Sequence, residues 1–255
     1  MLLAVSGASG KTGWRVVQGA LARGHQVRAL LRPGSDVPPG LDGAELVRLE
    51  LGDGPALAQA LGGCQALVIA TGARPGIDLT APLRVDAWAV TSQVRACEAM
   101  GVNRVLLVSS LCSGLWCHAL NFFGLILVVK RLGERALERS SLEWTIIRPG
   151  GLGESETGLD QEGIIYSKAG QQQDGRIPRR LVAQVCLEAL ETPLSQKRII
   201  EITSKPAAGA SDGPKSPKSD RPETVGTEVA NSESRGAVIA AGSQAGLASW
   251  LTTNP

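Results

Sequence analysis

The sequence predicts an α/β domain, a doubly wound and mostly parallel sheet of about seven strands, followed by a flexible C-terminal tail. Three observations carry that reading. Short apolar runs alternate along the chain with segments whose apolar residues recur at helical spacing. The first run, Leu2 to Val5, passes through Gly7-Ala8-Ser9-Gly10-Lys11-Thr12-Gly13 straight into a helical pattern of Trp14, Val17 and Leu21. From Ser204 the composition turns to Ala, Gly, Ser, Pro and mixed charge without a sustained period.

After the first helix ends at Gly24, Gln26 to Leu31 is a second strand, stopped by Arg32-Pro33-Gly34. Ala44 to Leu51 is a third, followed by Asp53 and a short helix from Pro55 to Leu61. Gln65 to Thr71 is an apolar fourth strand ending in Thr71-Gly72-Ala73. A loop from Arg74 to Pro82 leads to a helix from Leu83 to Met100, closed by Gly101. Arg104 to Ser109 is the fifth strand and ends in Ser109-Ser110. An apolar segment from Leu115 to Val129 then runs into Lys130, Glu134, Arg135 and Glu138, charges at helical spacing. Glu143 to Arg148 is the sixth strand, closed by Pro149-Gly150-Gly151. Arg179 to Glu191 is an amphipathic helix and Arg198 to Thr203 the last strand. Right-handed crossovers between parallel strands give the order 3-2-1-4-5-6-7.

The expected division is a domain over 1–203 and a tail over 204–255, which has too little apolar surface to offset its ordering entropy. The end of that tail, Ala237 to Leu251 with Trp250, is less polar and reads as a docking peptide or a frayed end. A chain of 255 residues fits one such domain and a tail. A net charge of +2 leaves no electrostatic footprint for nucleic acid. Cys64, Cys97, Cys112, Cys117 and Cys186 lack the paired spacing of a metal site and read as reduced packing residues, so no metal is expected. Met1 runs almost directly into the first strand, so no leader peptide is expected, and the compartment reads as cytoplasmic or stroma-like.

The glycine stretch reads as a phosphate cradle. Glycines let the backbone approach a pyrophosphate, and the open N–H groups and dipole of a helix start attract its charge. Gly7, Ser9, Gly10, Lys11, Thr12 and Gly13 are the candidate contacts. A nucleoside-triphosphate loop is the competing motif, but it needs glycine where this chain has Val5. The residue after the second strand meets the adenosine ribose in such folds. Here it is Arg32, without an acid until Asp36, and a guanidinium suits a 2′-phosphate. The expected cofactor is therefore NADP(H).

Together with Val27 to Arg32, Asp78-Leu79-Thr80, Val108 to Cys112, Arg148 to Leu152, Ile177-Pro178-Arg179 and Val182 to Cys186, the glycine stretch resembles a known family. It is similar to the atypical short-chain dehydrogenase/reductases of photosynthetic organisms, which include the dehydrogenase-like domain of a redox-sensing stromal subunit of the chloroplast import machinery. The likeness covers about residues 1–205. It implies a Rossmann-type fold, pyrophosphate contacts from Ser9 to Gly13, a 2′-phosphate contact from Arg32, an adenine contact from Asp53 and nicotinamide-side contacts from Thr71, Gly72 and Pro149.

One departure from that family limits the chemistry. Active short-chain dehydrogenases carry Tyr-x-x-x-Lys, in which the lysine lowers the tyrosine's pKa for proton transfer. Counting back from Lys130, the tyrosine position is Ile126, and the lone Tyr166 falls in the loop beyond the sixth strand. At the family's serine position stands Leu111, with Ser109 and Ser110 as the nearest hydroxyls. Lys130, Ser109 and Ser110 are the candidate catalytic residues, with Lys130 also a ribose ligand. The expected reaction is hydride transfer from NADPH to a planar acceptor of flavin or quinone type. The rival is a non-catalytic NADP(H) sensor or assembly protein that holds a redox or membrane-complex partner. The segment 115–129, apolar but shorter than the roughly 20 residues that span a bilayer, reads as a helix flanking the nicotinamide side: core where the domain covers it, and a candidate docking surface for a membrane or protein where it does not, with the tail a second candidate contact.

Overall fold

The structure, a computed structural model, describes residues 1–72, 80, 83–114, 125–206, 237–240 and 246–255. In chain order its elements are β1 (Leu2–Ser6), α1 (Gly13–Ala22), β2 (Gln26–Leu31), β3 (Glu45–Arg48), α2 (Gly54–Leu61) and β4 (Ala66–Ile69). A π-helical turn, Leu83–Trp88, feeds α3 (Ala89–Met100), followed by β5 (Arg104–Val108), α4 (Ile126–Glu138), β6 (Glu143–Pro149), β7 (Gly151–Gly153), β8 (Glu162–Lys168) and β9 (Arg176–Pro178). Then come α5 (Arg179–Glu191), β10 (Arg198–Pro206), β11 (Ala237–Ala240) and α6 (Gly246–Thr253).

Strands β3, β2, β1, β4, β5, β6 and β10 lie side by side in that order, all parallel, which is the expected order of seven. Register alternates side chains between two faces. Leu3 and Val5 enter one core with Val16 and Val17 of α1 and Leu181 and Val185 of α5. Ala4 enters the other, with Leu57 and Leu61 of α2, Val94 and Cys97 of α3 and Leu137 of α4. The domain is thus a three-layer Rossmann-type sandwich, with α1, α5 and α6 on one face and α2, α3 and α4 on the other.

The sheet is larger than expected: the described residues hold eleven strands, not about seven. β8 pairs antiparallel with β10, and β11 pairs antiparallel with β8. The three-residue β7 and β9 are too short to show any period. The strand β8 stands where the sequence predicts a loop, and it corrects the position of Tyr166. That ring is buried within β8 and stacks on Trp250 of α6 at 5.9 Å between centroids. Hence the described end of the expected tail is not loose. Leu247, Trp250 and Leu251 enter the α5 side of the core, and β11 extends the sheet. The tail residues 207–236 and 241–245 lie outside the described residues, as do 115–124 of the expected docking segment.

Candidate functional site

The carboxyl ends of β1, β4 and β5 open onto one crevice, where the strand order reverses between β1 and β4. The glycine loop lines it. Gly7 turns the chain out of β1 at φ +73°, and a β-carbon there would lie 2.8 Å from the Ala70 carbonyl oxygen. A β-carbon on Gly13 would run into the Gly7 carbonyl itself. The Gly10 amide donates to the Gly7 carbonyl at 2.8 Å and closes the turn. Among the described residues the amides of Ser9, Lys11, Thr12 and Gly13 keep no partner, and Thr12 makes no side-chain cap. Four open donors at the start of α1 make an anion cradle.

Orphaned hydroxyls mark the same crevice. Ser6 at the end of β1, Thr71 after β4, and Ser109 and Ser113 after β5 each bury a side-chain oxygen without a hydrogen-bond partner. Buried polar groups are rarely left unpaired. Four at the ends of neighbouring strands fit a polar ligand that brings hydroxyls and amides, as the ribose and carboxamide of a dinucleotide do.

Arg32 follows β2 and is exposed, and among the described residues its guanidinium has no partner. Its carbonyl accepts from the Ser35 amide at 3.1 Å and the Ser35 hydroxyl at 2.8 Å. Arg48 of β3, which sequence reasoning missed, donates to the Ser35 carbonyl at 2.8 Å and ties this turn to the sheet edge. Arg28 is committed elsewhere, to Glu45 at 2.8 Å and to the Ala60 and Gly62 carbonyls at the end of α2. Asp53 caps α2, its carboxylate accepting from the Ala56 amide at 3.1 Å.

On the opposite side of the crevice Lys130 Nζ donates to Asp86 Oδ1 at 2.6 Å, with both side chains largely buried. A β-carbon at Gly72 would lie 3.7 Å from Lys130 Nζ. Thr71, Gly72 and Lys130, three expected nicotinamide-side residues, are thus neighbours. Ile126 stands one helical turn before Lys130, at the tyrosine position, and is buried. Tyr166 does not replace it, because it lies in β8 buried against Trp250 on the α5 face, where burial first, then Glu188, pushes its phenol up. Leu111 is buried, its amide donating to the Pro149 carbonyl at 2.9 Å, so the chain after β5 is stitched to the end of β6.

Behind the Ser109 side of the crevice lies a buried charge network. Arg148 of β6 donates to Glu134 of α4 at 3.0 and 2.7 Å and to Glu201 of β10 at 3.4 Å. Burial alone would raise the Glu134 carboxyl; hydrogen bonds and charge from Arg148, with a further hydrogen bond from Arg131, hold it below the usual range. The Ser109 hydroxyl faces this carboxylate without completing a hydrogen bond of good geometry. Ser110 is half-buried beside it in the chain. On the outer side of the glycine loop Lys11 pairs with Glu154 at 2.8 Å, and Arg15, Arg179 and Arg180 gather around Glu154 and Glu156. The Lys11 hydrogen bond, ahead of Arg179, holds the Glu154 carboxyl below its usual range.

A Rossmann sandwich with an open anion cradle at the start of α1 and unpaired hydroxyls at the strand ends is a dinucleotide-binding domain of the dehydrogenase type. The chain matches the model of the NAD(P)H-binding family over residues 7–193 and belongs to that family. It is 36% identical over 222 residues to an uncharacterised chloroplast protein of Arabidopsis thaliana, covering 80% of this chain and 77% of that one. It is 31% identical over 233 residues to the chloroplast protein TIC 62 of Pisum sativum, covering 81% of this chain and 43% of that longer protein. Sanguinarine reductase of Eschscholzia californica is 28% identical over 243 residues, with 79% and 88% covered. Among solved structures, a candidate NAD-dependent epimerase/dehydratase from Bacillus halodurans superposes with a TM-score of 0.72 at 26% identity, over 81% of this chain and 95% of that one. The resemblance drawn from the motifs therefore holds at the level of the family.

Proposed function

We propose that the protein is an NADP(H)-dependent reductase that passes hydride to a planar acceptor of flavin or quinone type. The observation that carries this reading is the buried Ile126 one turn before Lys130, with Tyr166 stacked in the core. No phenol stands beside Lys130 to protonate an alkoxide, whereas a planar acceptor takes its proton from solvent. When bound, the reduced nicotinamide supplies the hydride, two electrons and one proton, and leaves as the oxidised cofactor. The chain's own residues bind and orient. The open amides of Ser9, Lys11, Thr12 and Gly13 would hold the pyrophosphate and Lys130 the nicotinamide ribose, with the unpaired Thr71 hydroxyl a further donor on that side.

The exposed guanidinium of Arg32 after β2 supports NADP(H) over NAD(H), because a guanidinium suits a 2′-phosphate. One such contact is worth roughly 1.5 to 3 kcal/mol, about ten- to a hundred-fold in affinity. The test of the cofactor is titration of NADPH and NADH by fluorescence. NADPH should bind at least about ten-fold tighter, with the preference lost in Arg32→Ala. The test of the reaction is NADPH consumption with flavins, quinones and simple carbonyls; rapid turnover of a simple ketone overturns it.

A second reading is a non-catalytic NADP(H) sensor that holds a redox or membrane-complex partner. Its support is Leu125, 46% exposed just before α4 and within the apolar segment 115–129, and the relationship to TIC 62. Binding of NADPH without consumption of any acceptor, together with partner or vesicle co-sedimentation lost in Leu125→Ser, favours this reading. Among the described residues no helix is long and apolar enough to cross a membrane. With chloroplast proteins among its relatives, a stroma-like compartment is the proposed location.

A further inference from the structure

We propose that the outward face shared by α3 and α4 is a docking surface for an anionic lipid bilayer. The inference deepens the second reading above by naming a face and a lipid chemistry for it, and it stands whether or not the protein reduces an acceptor.

The two helices run side by side in the same direction. Gly133 of α4 abuts the π-helical turn, where a β-carbon would collide with the Asp86 carbonyl oxygen and lie 3.4 Å from Val90 Cβ. Farther along, Arg95 of α3 lines one groove with Ala136 and Arg139 of α4, and Glu98 accepts from the Ser141 amide at 3.1 Å. Trp88 and Arg95 are seven residues apart, as are Leu132 and Arg139, so each pair shares one face of its helix.

That face is apolar at one end and basic at the other. Its amino-terminal end is the crevice end, since Lys130 lies between Leu125 and Leu132. Here Trp88 is the most exposed large apolar side chain among the described residues, at 62%, although its neighbours Ala87 and Ala89 are buried. Leu83, Leu125 and Leu132 stand open at the same end. Single exposed apolar residues are ordinary, but four on adjoining turns mark a surface that something else covers. Arg135 follows one turn on, and Arg95 and Arg139 two turns on, about 10 Å along the axes. All three are exposed, and among the described residues none of their guanidinium groups has a hydrogen bond or an ion pair.

Charge decides what covers the face. Every acid of the π turn, α3 and α4 is already engaged: Asp86 with Lys130, Glu98 with Ser141, Glu134 with Arg148 and Glu138 with Arg131. The face is therefore positive without a counter-ion of its own. Against a second copy it repels itself; against anionic head groups it is complementary. The order along the axes fits a bilayer in particular. Apolar side chains of a docked helix sink about 5–10 Å past the head groups, and arginines one to two turns behind then stand at the level of the phosphates.

The test is flotation of the purified protein with vesicles of phosphatidylcholine alone and of equal parts phosphatidylcholine and phosphatidylglycerol. Binding should be confined to the anionic vesicles and weaken as salt is raised. Trp88→Ser should lower the apparent partition coefficient at least about ten-fold. Arg95→Gln, Arg135→Gln and Arg139→Gln should each lower it about five-fold. These are surface substitutions, so the thermal midpoint should stay at the wild-type value, and the three arginine variants carry the test should Trp88→Ser fold poorly. Equal binding to both vesicles, or binding unchanged in all four variants, overturns the inference. So does binding lost in Leu125→Ser but kept in Trp88→Ser, which would assign docking to the segment 115–129. A dimer seen by light scattering that Trp88→Ser dissociates would give the face to a second copy instead. Failure to float with either vesicle overturns the inference and leaves the second reading only a protein partner, while NADPH titration tests the dinucleotide site separately.

Discussion

Arg148 and Glu134 meet in a buried two-point contact, Nε to one carboxylate oxygen at 3.0 Å and Nη2 to the other at 2.7 Å. It ties β6 to α4, the helix that carries Lys130. Removing one partner of such a pair leaves the other charge uncompensated, at a cost of about 3–5 kcal/mol. Glu134→Ala and Arg148→Ala should each destabilise by that order in urea unfolding. Glu134→Leu with Arg148→Met should lose far less than the two single losses added. Single losses below about 1 kcal/mol would show that the pair is solvated rather than buried.

The same carboxylate sets a pH dependence. Its folded pKa lies below the ordinary value of 4.5, so in acid the unfolded chain binds a proton that the folded chain refuses. Stability is then present above the unfolded value and is lost as pH falls through the folded one. Glu188 acts in the opposite sense. Burial raises its pKa, so its contribution is present at low pH and fades as pH rises through its folded value. Unfolding free energy measured from pH 7 to 3 should drop below about pH 4.5, more steeply in wild type than in Glu134→Gln. In Glu188→Gln the drop should be steeper than in wild type.

The glycine loop admits no side chain at its base. Gly7→Ala would force a β-carbon against the Ala70 carbonyl at positive φ, and Gly13→Ala would force one against Gly7. Backbone strain of this kind costs of order 1–3 kcal/mol per residue. Both variants should lower the thermal midpoint and abolish NADPH binding, read by calorimetry and fluorescence titration. Gly52→Ala, in open space, serves as the control.

Arg48 tethers the Arg32 turn through the Ser35 carbonyl. Arg48→Ala should therefore weaken NADPH by a few-fold and leave NADH unchanged, a fraction of the roughly ten-fold effect expected of Arg32→Ala. An equal loss for both cofactors would place Arg48 outside the specificity turn.

Trp250 of α6 and Tyr166 of β8 stack inside the core. Trp250→Ala should cost about 3–5 kcal/mol, and removal of 246–255 should leave the α5 face uncovered and the protein prone to association. Equilibrium unfolding and light scattering check the two. Loss of less than about 1 kcal/mol would mean that the C-terminal helix merely rests on the domain.

The parallel core was legible because each of its strands is an apolar run followed by a helical period, and the crossover rule then dictates their order. Gly7 to Gly13 and Arg32 were legible because their chemistry is local in sequence. Asp86 and Arg48 were not, since each acts on a group that only the fold brings near: Lys130, 44 residues on, and Ser35 across the sheet edge. Tyr166 was misplaced for a related reason. The strand Glu162–Lys168 gains its partners from β10 and β11, which lie far along the chain, and nothing within the strand announces them.

Strand β3 ends the sheet on one side, with Leu46 exposed between Glu45 and Arg48. An open edge of this kind is a template for another chain, and charge along it is the usual guard against stacking into aggregates. Both flanking charges are employed twice, Glu45 by Arg28 and Arg48 by the Arg32 turn. Redesign of this protein toward the other dinucleotide therefore meets a solubility constraint. A variant that replaces Arg48 to reshape the phosphate turn also strips the guard from a short apolar edge, and a compensating lysine on β3 would have to accompany it.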